Sequence, residues 1–224
     1  MILFIADDIL FTMKCLENNA ENIKEAIKVL KAGGVIAHPA DTCYGLAADL
    51  MNESALKRLQ QIKGRDAGKP MSIMLPAYLK PKISQYAVLN EFSEAVCEKL
   101  LPGPITIVLP KGPKIPDYFF PEMPTVGIRI PYDAKTNDLL MAFNGPLITT
   151  SANLSDQPVC CSCQDVISVF KNNEHYPDLL LDGEIHGACL PSTVITLEND
   201  RVRILRPGPM EKEQMEAILG LTAE

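Results

Sequence analysis

The stretch NESALKRLQQIKGRDAGKPMSIML, residues 52 to 75, decides the fold. Its first half has helical periodicity. Leu56, Leu59 and Ile62 share a face, Asn52 stands as N-cap and Gly64 as the stop. Its end, SIML, is a short β-prone run. Between them KGRDAGKP crowds Lys63, Arg65 and Lys69 together. Helix, cationic loop and strand in succession predict an α/β unit, with the cations at a sheet edge where such proteins usually bind ligands. Lysines near a helix C-terminus also complement its dipole, so this stretch alone leaves a solvated turn and an anion site both open.

Working outward, ENIKEAIKVLKAGG repeats the helical pattern, with Ile23, Ile27 and Leu30 on one face and Gly33 as C-terminal cap. The runs VIAH, ITIVL, TVGIRI, PLITT, STVITL and RVRIL read as strands, and EFSEAVCEKLL, AKTNDLLMAF, QDVISVF and EKEQMEAIL as helices. Several strands are apolar throughout, which implies a sheet covered on at least one face. Neither a repeat nor a Pro/Gly/Ser-rich linker divides the chain. We expect a single α/β domain with a twisted mixed sheet flanked by helices. A simple doubly wound order is disfavoured, because PITIVLP and the later strands follow one another with little helix between.

Composition narrows the function classes. The formal net charge is −7, Trp is absent and aromatics are 6%, which argues against a broad nucleic-acid surface while allowing a local cationic pocket. The opening MILFIADDILFTM is interrupted by Asp7 and Asp8 and is too short to span a bilayer; it reads as a first strand or an added segment. Seven cysteines, an odd number, and no secretory signal point to a cytoplasmic protein with reduced thiols and no membrane partner. Cys160 and Cys163 form a C-x-x-C pair, and His186 and Cys189 an H-x-x-C pair further on, spacings that suit a structural zinc. Three Cys in four residues beside a polar loop read more simply as incidental, so a structural zinc is not expected.

Four further stretches carry polar chemistry. TTSANLSDQP (149–158) follows an apolar strand and groups Ser151, Asn153, Ser155 and Asp156, either as an anion-binding nest or as a turn tied by side-chain bonds to its own backbone. PSTVITL (191–197) sets Ser192 and Thr193 at a strand opening, and ILRPGP (204–209) sets Arg206 at a strand end, where a guanidinium can fork onto phosphate or carboxylate. PADTCYGL (39–46) places Asp41, Thr42 and Tyr44 after a strand, and TVGIRIP places Arg129 near another strand's end.

In this order and spacing, PADTCYGL, KGRDAGKP, LLPGPITIVL, TVGIRIP, TTSANLSDQP, PSTVITL and ILRPGP resemble the YrdC/TsaC family of threonylcarbamoyl-AMP synthases, over roughly residues 20 to 210. The resemblance implies an α/β fold around a deep, positively charged cleft. It also implies the synthesis of threonylcarbamoyl-adenylate and pyrophosphate from L-threonine, bicarbonate and ATP. Magnesium is expected on the phosphates, and a separate transferase system would pass the product to the adenosine beside the anticodon of certain tRNAs. Position by position, Arg65, Lys69, Thr125, Asn153 and Arg206 match ATP contacts, with Lys63 beside them; Lys63 and Arg65 are the expected catalytic cations. Thr42, Arg129, Ser151 and Ser192 match positions that hold threonine, with Arg129 on its carboxylate. No nucleophilic Ser or Cys is required. The expected bounds are an N-terminal extension or first strand at 1–19, the catalytic domain at 20–210 and a C-terminal helix at 211–224.

The chain departs from the family pattern at three places. Ala40 stands where the family usually has Thr, Asp156 where the serine–alanine–asparagine loop usually ends in Gly, and Met74 where some members have His. If the Gly position needs positive φ, Asp tolerates it better than most residues. Two other readings share the same residues: a non-catalytic module whose cationic cleft makes a weak RNA contact, and a paralogue with a changed substrate.

Overall fold

The computed structural model describes residues 4–6, 9–11, 13–64, 71–185 and 188–223. The strands are β1 (Phe4–Ala6), β2 (Ile9–Phe11), β3 (Lys14–Glu17), β4 (Ile36–His38), β5 (Gly45–Asp49), β6 (Ser72–Met74), β7 (Ile105–Pro110), β8 (Thr125–Arg129), β9 (Leu147–Ser151), β10 (Leu179–Asp182), β11 (Thr193–Glu198) and β12 (Arg201–Arg206). The helices are α1 (Ala20–Lys31), α2 (Glu53–Lys63), α3 (Glu91–Leu100), α4 (Ala134–Phe143), α5 (Cys163–Phe170) and α6 (Lys212–Leu219), with a 3-10 segment at Ala77–Gln85.

The helix signals act as the sequence predicts. Asn52 Oδ1 accepts from Ala55 N at 3.1 Å to cap α2, and Gly64 ends it at φ 56°. Asn19 caps α1, whose chain turns away at Gly33, φ 84°. Both glycines take a left-handed conformation that costs other residues more.

β1 and β2 pair with each other alone. The other strands form one mixed sheet in the order β12-β11-β7-β8-β6-β9-β5-β4-β10-β3. β3 runs parallel to β10 at its edge, so the structural unit starts before residue 20. α6 packs on α3, with Lys99 Nζ donating to the Leu219 carbonyl at 3.0 Å.

Alternate residues of each strand enter different layers, as a period of two requires. On one face Leu46, Ala48, Ile73, Ile107, Ile128, Ile148 and Leu180 pack beneath α2, α3, α5 and α6. On the other, Ile36, Ala47, Met74, Leu147, Leu179 and Leu181 pack beneath α1 and α4. That second layer is only partial. Over β7, β8 and part of β6 and β9 the same face carries Thr106, Val108, Gly127, Ser72 and Thr149, and there it borders a cavity. The ligand-sized space therefore lies on the sheet's face and not at its edge.

Candidate active site

The cavity has a volume of about 390 Å³. Its floor is a register row of small side chains: Val108 opposite Gly127, Gly127 beside Ser72, and Ser72 opposite Thr149. Gly127 is required by close approach, because a Cβ there would meet Ser72 Oγ at 2.5 Å and Thr106 Cγ2 at 2.9 Å. A larger residue would fill the floor. Small floor residues under an incomplete helical layer make the space.

Of the residues singled out in the sequence, Thr42, Thr125, Arg129, Ser151, Ser192 and Arg206 all line this cavity, drawn from both halves of the chain. Arg129 ends β8 and is 7% exposed. Its Nη2 donates to Thr42 Oγ1 at 2.8 Å and to Asp41 Oδ1, forming a buried ion pair. Its Nε is buried without a partner among the described residues. A buried guanidinium with an unmet N–H demands another acceptor, and a bound carboxylate would supply one. Burial pushes the Asp41 carboxyl above the ordinary carboxylate range, and the Arg129 charge pulls it back only in part.

Arg206 closes the opposite wall. Its Nη2 and Nε donate to the Ser192 carbonyl at 2.7 and 3.2 Å, and Nη2 reaches Ser192 Oγ at 3.3 Å. Ser192 Oγ in turn lies 2.8 Å from Thr106 Oγ1. The strand end of β12 thus fixes the hydroxyl that opens β11.

Asn153 and Lys63 take a different place from the other candidates. Lys63 is only 1% exposed, and its Nζ donates to the carbonyls of Ser151 (2.8 Å) and Asn153 (2.5 Å) and to Asn153 Oδ1 (2.7 Å). Asn153 Oδ1 also accepts from Ser151 Oγ at 2.6 Å. The Lys63 ammonium therefore sits beneath the loop that follows β9 and holds it in shape. At Asp156 that loop has φ 64°, the left-handed conformation that a Gly at this position would meet at least cost. Arg65 and Lys69 lie outside the described residues.

Sequence reasoning named Asp41 without giving it a role and passed over Thr106, Ser72, Thr149 and Cys43. Thr106 had a signal: it is a polar residue inside the apolar run ITIVL, on the face opposite Ile105 and Ile107. Cys43 lines the cavity, but burial pushes its thiol up, so it is protonated and a poor nucleophile.

The cysteines correct one expectation and bear on a second reading. Cys161 and Cys189 are joined by a disulfide, so not every thiol is reduced. Cys189 is thereby removed from the zinc quartet that the spacing suggested; Cys160 is buried, Cys163 faces Cys15, and His186 lies outside the described residues.

A mixed ten-stranded α/β sheet with a polar cavity on its half-covered face defines the class of protein. Comparison with known proteins gives the particular group. The Sua5/YciO/YrdC family model, described as "Telomere recombination", matches residues 28–208, and the chain belongs to this family. A human protein named threonylcarbamoyl-AMP synthase is 34% identical over 197 residues, 84% of this chain and 67% of its own length. A Vibrio cholerae protein of the same name is 30% identical over 190 residues, 84% of this chain and 98% of its own. Pyrococcus abyssi Sua5 in complex with L-threonine superposes with a TM-score of 0.84 at 28% identity, covering 95% of this chain and 62% of that one.

Proposed function

We propose that this chain is a threonylcarbamoyl-AMP synthase, condensing L-threonine, bicarbonate and ATP into threonylcarbamoyl-adenylate and pyrophosphate. The observation that carries the reading is Arg129, a buried guanidinium on the cavity wall with Thr42 at hand and Nε unmet. It suits the carboxylate of a small amino acid. The relatives named for this activity, and the relative that holds L-threonine, support the same choice.

In this reading Arg129 takes the threonine carboxylate, while Thr42, Ser151 and Ser192 offer hydroxyls to its amine and side-chain oxygen. Bicarbonate, taking up a proton, dehydrates to carbon dioxide, and the free amine captures it as a carbamate while its nitrogen releases a proton to solvent. One carbamate oxygen attacks the α-phosphorus of ATP, and the bond to the β-phosphate oxygen breaks as pyrophosphate leaves. The protein supplies position and charge, with no covalent intermediate. Arg206, Thr125 and the loop around Asn153 border the space for the nucleotide, Lys63 positions that loop, and Arg65 and Lys69 are assigned to the triphosphate. ATP enters as its magnesium complex. Asp41, the carboxylate bonded to Arg129, is already committed to it, so magnesium would be held chiefly by the phosphates. A tRNA-modifying transferase would consume the product.

The test is incubation with labelled bicarbonate, threonine and ATP, followed by chromatography. A labelled adenylate that requires threonine supports the synthase. Nucleic-acid binding that falls steeply with salt and ignores ATP, with no adenylate formed, would favour the RNA-binding reading instead.

A further inference from the structure

We infer that Cys15, Cys163 and Asp182 form a binding site for a thiophilic divalent cation of the zinc class, apart from the cavity. The three donor atoms all lie within 4.8 Å of one another, with the two sulfurs 3.3 Å apart. They come from three separate elements. β3 and β10 are parallel neighbours with Cys15 opposite Leu180. Asp182 stands two residues beyond Leu180 and so points to the same face. That face is the one α5 covers, and Cys163 is its first residue.

The chemistry suits such an ion. Tetrahedral zinc with bonds of about 2.3 Å to sulfur would hold two thiolates roughly 3.8 Å apart, so the pair needs to open by only about half an ångström. Asp182 is exposed, which leaves a fourth position to water. The Tyr44 hydroxyl, which donates to the Gly183 carbonyl at 2.6 Å, lies 3.4 Å from Asp182 Oδ1 beside the three donors. Burial, with Cys15 and Asp182 alongside, disfavours the Cys163 thiolate until a cation joins the group. On binding, each sulfur loses one proton and gains one bond to the metal. Two protons leave per ion, so binding should strengthen as pH rises. The ion would pin the edge strand β3 and the start of α5 to β10.

The experiment is a cobalt titration of reduced, tag-free, chelator-treated protein, read by thiolate-to-cobalt charge-transfer absorption, with zinc as competitor. The expected result is one equivalent bound, displaced by zinc. Cys15→Ser and Cys163→Ser should abolish the band, Cys189→Ser should keep it, and adenylate synthesis should continue in all three. Zinc should raise the Tm by roughly 5–10 °C at a hundredfold excess over Kd. Should the serine variants fold poorly, zinc protection of Cys15 and Cys163 from alkylation in the unaltered protein, mapped by mass spectrometry, decides the matter. No band, a band that survives both serine variants, a band lost with Cys189, or alkylation that ignores zinc would overturn the site.

Discussion

Lys63 Nζ lies 2.7 Å from Asn153 Oδ1, tying the last residue of α2 to the loop after β9 across ninety positions of sequence. Replacing Lys63 with Met keeps the aliphatic stem but leaves the Ser151 and Asn153 carbonyls without this donor. Stability should fall by about 1–3 kcal/mol, the range for buried polar groups stripped of a partner. The KM for ATP should rise, and urea denaturation alongside steady-state kinetics checks both. Unchanged stability with lost turnover would instead make Lys63 a direct catalytic cation.

Arg129→Ala removes the proposed partner of the substrate carboxylate and strands Asp41. Threonine binding by calorimetry should weaken by ~2–5 kcal/mol. Arg129→Lys should recover little of it, because a point charge cannot reproduce the fork that serves Thr42, Asp41 and a ligand together. Parent-like threonine affinity in the alanine variant would remove the assignment.

Arg65→Ala tests the triphosphate end. If Arg65 steadies the leaving pyrophosphate, adenylate formation should slow by roughly a hundredfold or more at saturating substrates. The thermal midpoint should barely move. Pyrophosphate release and a melt on the same sample distinguish this from a helix-end charge contributing about 0.3–1 kcal/mol to stability alone.

His38 gives a prediction in pH. It is fully buried on β4, with Nδ1 2.9 Å from the Pro39 carbonyl and Nε2 unpartnered among the described residues. Burial holds its pKa below the ordinary 6.5. The unfolded chain therefore binds a proton that the folded chain refuses, so stability is full above about pH 6.5 and is lost as pH falls below it. The loss is at most about 1.4 kcal/mol per pH unit. His38→Gln should flatten the Tm profile between pH 5 and 6.5, and an unchanged slope would clear His38 of the effect.

Much of the fold could be read from local punctuation. Asn52 and Gly64 bound α2 as expected, and the predicted helices near residues 91, 134, 163 and 212 all form. β5 (GLAAD) and β10 (LLLD) were not anticipated. Both are short and packed on two faces, so they lack the polar alternation that marks a strand. Among site residues, strand-end positions drew attention to Arg129 and Arg206. Lys63 reads in sequence as a catalytic cation facing the triphosphate, with a helix-end charge as the other reading, and neither foresees its burial beneath the loop after β9. The sequence nonetheless held a contrary sign: Lys63 is seven residues after Leu56, on the helix's apolar face. What no local pattern could reveal is which strands become neighbours. Only the sheet order brings Ser72 beside Gly127 and Thr149 to make a cavity floor.

The Asp41–Arg129 pair has a consequence for selectivity among anions. A carboxylate covalently tethered beside a guanidinium acts as a resident competitor for any anion that approaches it. Chloride, acetate or free phosphate must share the guanidinium with it and finds little beyond the open Nε to bind. An amino acid that also engages Thr42 and the neighbouring hydroxyls has those contacts to set against the exchange. If Arg129 takes the substrate carboxylate as proposed, the pair would set a threshold that favours a ligand bringing several groups at once over a stray anion.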